Sequence, residues 1–337
     1  MKTFEHGGQI EKFAFDLGCA VGEIIDLSSN INFVKPQINI DFNTLDISSY
    51  PTYDKLYEKI ASNYGVESEE IELFNGGSSA IFTLFKHLDL KYCTIYSPAY
   101  LEYKKASLNF GYELDIINRF DDISSPVKEG TFVIFVNPST PDGKYYELEE
   151  LMKNWIEKSC TILIDESFLD FCDKPSAIKY LKSYDKLYIL KSMTKFYSSA
   201  GIRVGTIVST KQNIEKLKRF EPMWKLSQFD SNYLQSALDD KHFKNISKAI
   251  NIKNKIELEN ILKSSDLIEE IFESNANYLL IKLIKINAKE FQEKLKPYKI
   301  MVRDCSNFDY LDERFVRIAV KSSSANEVLK KALKEIC

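Results

Sequence analysis

The chain has 337 residues, 44% hydrophobic and 28% charged, with a formal net charge of -4; that length suits one large domain plus a smaller one, with the composition of an ordinary folded protein. The two signs of charge are mixed, with no basic block or aromatic-basic stripe, which argues against a nucleic-acid surface, and no apolar run approaches the roughly 20 residues that cross a membrane. Six scattered cysteines without a C-x-x-C pair and only three histidines argue against a zinc site, while Glu5 and His6 stand where a signal peptide has its apolar core, so a cytoplasmic protein with reduced thiols is expected.

Residues 1–48 form an N-terminal arm expected to pack on the smaller domain. From about residue 53 to 208, short apolar runs alternate with amphipathic segments. Strands are predicted at residues 92–96 (YCTIY), 131–136 (TFVIFV), 161–164 (TILI), 186–190 (KLYIL) and 203–208 (RVGTIV). Helical stretches such as 79–88 and 148–158 lie between them. Strands alternating with helices imply an α/β domain, over residues 49–225, whose mostly parallel sheet is covered on both faces. Ligands of such sheets sit at the carboxyl ends of the strands. Residues 213–262 are rich in Lys, Glu, Asn and Leu at helical spacing and predict one or two long helices. After Asn275 the pattern runs strand (NYLLIKL), helix (AKEFQEKL), strand (KIMVRD), strand (RFVRIAV) and a last helix to Ile336. This reads as a small α+β domain, placed at residues 226–337.

Several polar residues fall just after predicted strands. Asp165 ends TILI, where a carboxylate is costly unless a cation meets it or it caps the next turn. Lys195 follows KLYILKSM and would ordinarily face solvent. Its neighbours change that reading. Ser192, Thr194 and Arg203 form S-x-T-K and then R-x-G around it, and two hydroxyls with a guanidinium can clamp a phosphate. A lysine kept unprotonated by nearby positive charge can form an imine. Upstream, NGGSS opens a helix at Gly77 and Ser78, whose N-terminus offers free N–H groups to an anion, or serves simply as a turn.

In this order, SSNINF, YPTYDKLYEKIA, NGGSS, SPAYLEY, NPSTPDG, LIDESFLDF, SMTKFYSSAGIRVG, ANYLLIKL and RDCSNF resemble fold-type I pyridoxal-phosphate enzymes of the histidinol-phosphate aminotransferase group, over nearly the whole chain. The resemblance implies a seven-stranded large domain and pyridoxal 5'-phosphate as cofactor. It implies that Lys195 holds the cofactor as an imine, that Asp165 pairs with the pyridinium nitrogen, and that Asn137 bonds the ring's 3-oxygen. Tyr100 would stack on the ring, and Gly77, Ser78, Ser192, Thr194 and Arg203 would hold its phosphate. Tyr50 would reach the cofactor of a neighbouring subunit, which implies a homodimer with shared active sites. Two departures stand out. Phe168 occupies a position where many members have tyrosine, leaving Asn137 as the main partner of the 3-oxygen, and NPSTPDG replaces the commoner NPNNPTG.

His6-Gly7-Gly8 and the C-terminal RDCSNFDYLDERFVRIAV look like threonine-phosphate and serine-phosphate decarboxylases, close cousins within the group, including those of cobalamin synthesis. They imply removal of CO₂ from a small O-phosphorylated amino acid. Arg303 and Arg317 are the expected anchors for the substrate's carboxylate and phosphate, in either order, with Arg317 inside an apolar strand where a buried guanidinium needs an anion. His6 would add a donor to the substrate phosphate, and Asn30 lies in the substrate region. Two alternatives stay open at this point: an aminotransferase of the histidinol-phosphate type, and a cofactor-binding module without catalysis.

Overall fold

Four consecutive strands made wholly of buried residues dictate the centre of the molecule. The computed structural model describes residues 8–336. In chain order its strands are β1 (Ile25–Asp26), β2 (Ile71–Asn75), β3 (Tyr92–Ser97), β4 (Glu113–Asn118), β5 (Phe132–Val136), β6 (Thr161–Asp165), β7 (Leu187–Lys191), β8 (Val204–Ser209), β9 (Ile268–Ile271), β10 (Tyr278–Leu283), β11 (Ile300–Met301), β12 (Arg303–Asp304) and β13 (Phe315–Ala319). The helices are α1 (Ile10–Leu17), α2 (Asp54–Tyr64), α3 (Gly76–His87), α4 (Leu101–Asn109), α5 (Glu149–Glu157), α6 (Met193–Phe196), α7 (Lys211–Lys218), α8 (Gln228–Asp239), α9 (Phe243–Lys263), α10 (Ala288–Leu295) and α11 (Ser323–Ile336).

The main sheet has seven strands in the order β2-β8-β7-β6-β5-β3-β4. Strands β3 to β7 pair in parallel, and β8 runs antiparallel to both β7 and β2. Period-2 alternation sends Val133, Phe135, Ile162, Ile164 and Ile189 to one face, against α2 and α5. It sends Ile134, Leu163 and Leu190 to the other, against α3, α4 and α7. A sheet covered on both faces needs continuous apolar runs, which is why its central strands were legible. Strands β2 and β4 were not predicted. The first carries a buried glutamate, Glu72, which ion-pairs with Lys225, and the second is an edge strand with polar residues along it.

Residues 213–262 form two further helices and the end of a third rather than one or two. The chain breaks after α7 around Pro222, which lacks the N–H an inner turn needs, and again where Asp240 caps Phe243 N at the start of α9. The smaller sheet runs β12-β13-β10-β9, all antiparallel. The strand expected over KIMVRD is split at Val302. Its first half, β11, pairs in parallel with β1 of the N-terminal segment, and its second half, β12, pairs with β13. Leu27 accordingly sits in the apolar core of β10, β13, α10 and α11, while Val34 and Ile38 pack on the core beneath the large sheet.

Candidate active site

The carboxyl ends of β6 and β7, the start of α3 and the ladder β12-β13 surround one cavity of about 250 Å3. Asp165, the last residue of β6, turns toward the α3-α4 side of the sheet. Tyr103 of α4 donates its hydroxyl to Asp165 Oδ2 at 2.7 Å, and Ser167 donates N–H (2.9 Å) and hydroxyl to Oδ1. The carboxylate is thereby fixed as an acceptor pointing into the cavity. Burial and Asp165 together push the Tyr103 phenol well above its ordinary range, so it stays a donor. Lys195 lies on the short helix α6, whose turn brings its amine back under β7. Its Nζ donates to Ser192 Oγ at 3.2 Å and stands 5.4 Å from the centre of the Phe168 ring. Burial lowers the Lys195 pKa, Asp165 opposes that, and Arg203 and Arg317 add to it. An amine so held is poised to react with an aldehyde.

A phosphate-sized recess lies at the start of α3. Gly76 adopts φ +79, and a Cβ there would come within 2.3 Å of the Arg203 guanidinium. At Gly205 of β8 a Cβ would meet Gly77 N at 2.6 Å. These two glycines let β8, Arg203 and the N-terminus of α3 close on one another. Ser78, Ser192 and Thr194 line the same recess, with Ser192 Oγ 3.4 Å from Thr194 Oγ1. Helix N–H groups, three hydroxyls and a guanidinium fit the phosphate of the expected cofactor. Tyr100 walls the adjoining space, its hydroxyl 3.3 Å from Ser78 Oγ.

The opposite wall is cationic. Arg303 and Arg317 are direct cross-strand partners in β12 and β13, both buried (9% and 8% exposed) and both lining the cavity. Like charges directly opposite on a ladder repel, so this pair makes sense around an anion. Arg317 donates to Thr140 Oγ1 (3.2 Å) and Ser28 O (3.1 Å), and its buried Nε has no partner. Among the described residues no carboxylate lies within ion-pairing distance of it. Arg303 donates to Asn307 Oδ1 at 2.9 Å.

Of the residues expected from sequence, Gly77, Ser78, Tyr100, Asp165, Ser192, Thr194, Lys195, Arg203, Arg303, Arg317 and Asn30 line this one cavity. Asn30 comes with its neighbours Ser28, Ser29 and Ile31, because Asn32 N donates to Lys195 O at 2.9 Å and ties the N-terminal segment to α6. Asn137 is not among the residues that line the cavity. Its side chain is spent on the backbone of Tyr146, accepting from N and donating to O at 2.9 Å each. The hydroxyl at the cavity from that loop belongs to Thr140. Tyr50 is also outside it, 71% exposed and stacked on Trp224 with ring centres 4.0 Å apart. His6 lies outside the described residues, though Gly8 N donates to Ser28 Oγ at 3.1 Å, at the cavity's edge. Sequence reasoning missed Tyr103, Ser167, Thr140 and Phe308. The first two had a signal: one helical turn beyond Tyr100, and the D-x-S spacing of a side chain capping its own turn.

A family model described as aminotransferase class I and II matches residues 23–336. A protein of Caldanaerobacter subterraneus subsp. tengcongensis named "Putative threonine-phosphate decarboxylase" is 33% identical over 356 residues, covering 99% of this chain and 94% of that protein. A histidinol-phosphate aminotransferase of Methanocaldococcus jannaschii is 27% identical over 356 residues, covering 100% and 95%. Among solved structures, the histidinol-phosphate aminotransferase from Clostridium acetobutylicum superposes with a TM-score of 0.82 at 28% identity, covering 93% of this chain and 99% of that one. No helix of the described residues is long and apolar enough to cross a membrane.

Proposed function

The chain belongs to the class I and II aminotransferase family, whose members depend on pyridoxal phosphate, and from that premise we propose that it removes CO₂ from a small O-phosphorylated amino acid, threonine phosphate or serine phosphate, leaving a phosphorylated amine. The observation that carries this reading is the pair Arg303 and Arg317, two guanidiniums side by side at the cavity. They suit a substrate with two anionic groups, a carboxylate and a phosphate. The 33%-identical relative supports the same reading. The M. jannaschii relative supports a second one, transamination of histidinol phosphate.

When bound, pyridoxal phosphate supplies a ring that accepts the electrons of a bond broken at the substrate's α-carbon. This chain's residues do the rest. Arg203, Ser78, Ser192, Thr194 and the start of α3 would hold the phosphate. Asp165, fixed by Tyr103 and Ser167, would keep a proton on the ring nitrogen. Lys195 would hold the cofactor covalently and later deliver a proton to the α-carbon. Only a bond standing perpendicular to the ring releases its electrons into it. The two arginines would therefore select the reaction by fixing which substituent stands there, since misplacement of about 1 Å costs on the order of a hundredfold in rate.

A second copy of the chain would cover the exposed pair Tyr50 and Trp224, stacked with ring centres 4.0 Å apart, and would bring Tyr50 to its neighbour's site. To test the reaction, protein loaded with cofactor is incubated with O-phosphothreonine and O-phosphoserine. CO₂ and phosphorylated amine are expected. If neither product appears and glutamate is formed from histidinol phosphate and 2-oxoglutarate, the case goes to transamination.

A further inference from the structure

Residues 305–314 join β12 to β13, and the first seven of them do more than turn the chain. Cys305, Phe308 and Leu311 form a small apolar cluster with Leu280, which anchors the loop to its own domain. Its outer side reaches across to the large domain at two points. Asp309 accepts from Lys104 Nζ of α4 at 2.8 Å. Tyr310 donates its hydroxyl to Ile116 O of β4 at 3.0 Å. The Tyr310 backbone sits at φ 63, a left-handed conformation that a bulky residue keeps only where its surroundings impose it. On the loop's inner side, Phe308 lines the cavity, and Asn307 Oδ1 accepts from Arg303 Nη2. The Arg303 guanidinium stands 5.6 Å from the centre of the Phe308 ring.

One short segment thus grips a cavity arginine from within and the opposite domain from without. We propose that residues 305–311 are a strap that positions Arg303: fastening the strap to α4 and β4 sets the guanidinium against the substrate's anionic group, and the bound anion in turn holds the strap fastened. This rests on the reading of Arg303 as a substrate anchor. Asn307, Asp309 and Tyr310 are positioning residues. The fastening suits a step that must reverse at every turnover. The Lys104–Asp309 pair is partly exposed, so it is weak and sensitive to salt. Coupling between the anion and the strap must be reciprocal.

The test uses cofactor-loaded protein, with inorganic phosphate as the probe of the anion site. In the wild type, phosphate is expected to slow amide exchange in residues 305–311, and Arg303→Met to abolish that response. The double variant Asp309→Asn/Tyr310→Phe is expected to speed exchange there about fivefold without phosphate. It should raise KM for the phosphorylated substrate about tenfold, with any fall in kcat following the same loss of Arg303 positioning. Lys104→Met makes the same break from the other domain, and the swap Lys104→Asp/Asp309→Lys is expected to restore KM. Unchanged exchange and KM in both the double variant and Lys104→Met would overturn the proposal, as would a fall in kcat with exchange in residues 305–311 unchanged. If the wild type turns over neither phosphorylated amino acid, the functional reading fails, but the exchange response to inorganic phosphate still decides the strap.

Discussion

Asp165 and Glu166 are consecutive residues, and each is matched with a lysine at the end of the neighbouring strand or just beyond it, yet the two pairs are built differently. Strand alternation sends Glu166 to the α2 face of the sheet, where Lys191 meets it in direct contact, both side chains almost fully buried. Ser176 Oγ and Ala177 N also donate to Glu166, and the Tyr64 ring lies 4.5 Å from the Lys191 amine. That pair is closed. On the other face Asp165 is held by Tyr103 and Ser167, while Lys195 donates to Ser192. A cavity lies beside both, so each keeps capacity for a third party. The same residue types, one position apart, serve as a structural tie where they touch and as chemistry where they are held apart.

The largest expected effect separates the two lysines. Lys195→Ala should lower turnover by about 10⁴-fold or more, because no other lysine among the described residues lines the cavity, and it should leave the thermal midpoint unchanged or higher, since a desolvated amine is lost. Lys191→Met should do the reverse. Leaving Glu166 buried without its cation should destabilise the protein by about 3–5 kcal/mol in urea unfolding, with kcat of the folded fraction near wild type. Asp165→Asn comes next, with kcat down by about a hundredfold or more, against a loss of stability but not of rate for Glu166→Gln. Arg317→Lys replaces a guanidinium held at two points by an ammonium, and should raise KM for the phosphorylated substrate by roughly 30-fold or more in steady-state assays.

How much of this contrast was legible in the sequence varies with the physics behind each part. The central strands announced themselves because a doubly covered sheet requires unbroken apolar runs, and the order of motifs pointed to Lys195 and Asp165. The division of labour on the small-domain side was only half visible. Arg303 and Arg317 were flagged, but their face-to-face pairing depends on the split at Val302, which no local pattern announces. Asn137 was expected at the ring because the family resemblance implies it there. In the fold, the backbone of Tyr146 takes both ends of its amide, and Thr140 stands at the cavity instead. Tyr103 was hidden among the chain's aromatic residues, since a tyrosine in an apolar face reads the same whether its hydroxyl meets a carboxylate or nothing.

The smallest expected effect concerns pH. Burial, with help from Arg203 and Arg317, lowers the Lys195 pKa below its ordinary 10.5. Capture of added pyridoxal phosphate by cofactor-free protein uses the neutral amine, so its rate should rise with pH and level off with a midpoint below 10.5. Arg317→Met removes a nearby positive charge and should move that midpoint upward. A midpoint that stays put would mean the arginine's field does not reach the amine.

The contrast between the two lysines is tested most directly by covalent mapping. Protein loaded with pyridoxal phosphate is reduced with borohydride, digested and analysed by mass spectrometry. The account predicts a pyridoxyl group on the peptide carrying Lys195, absent from Lys195→Ala and retained in Lys191→Met. A label on Lys191, or on any lysine outside the cavity with Lys195 unmodified, would contradict it.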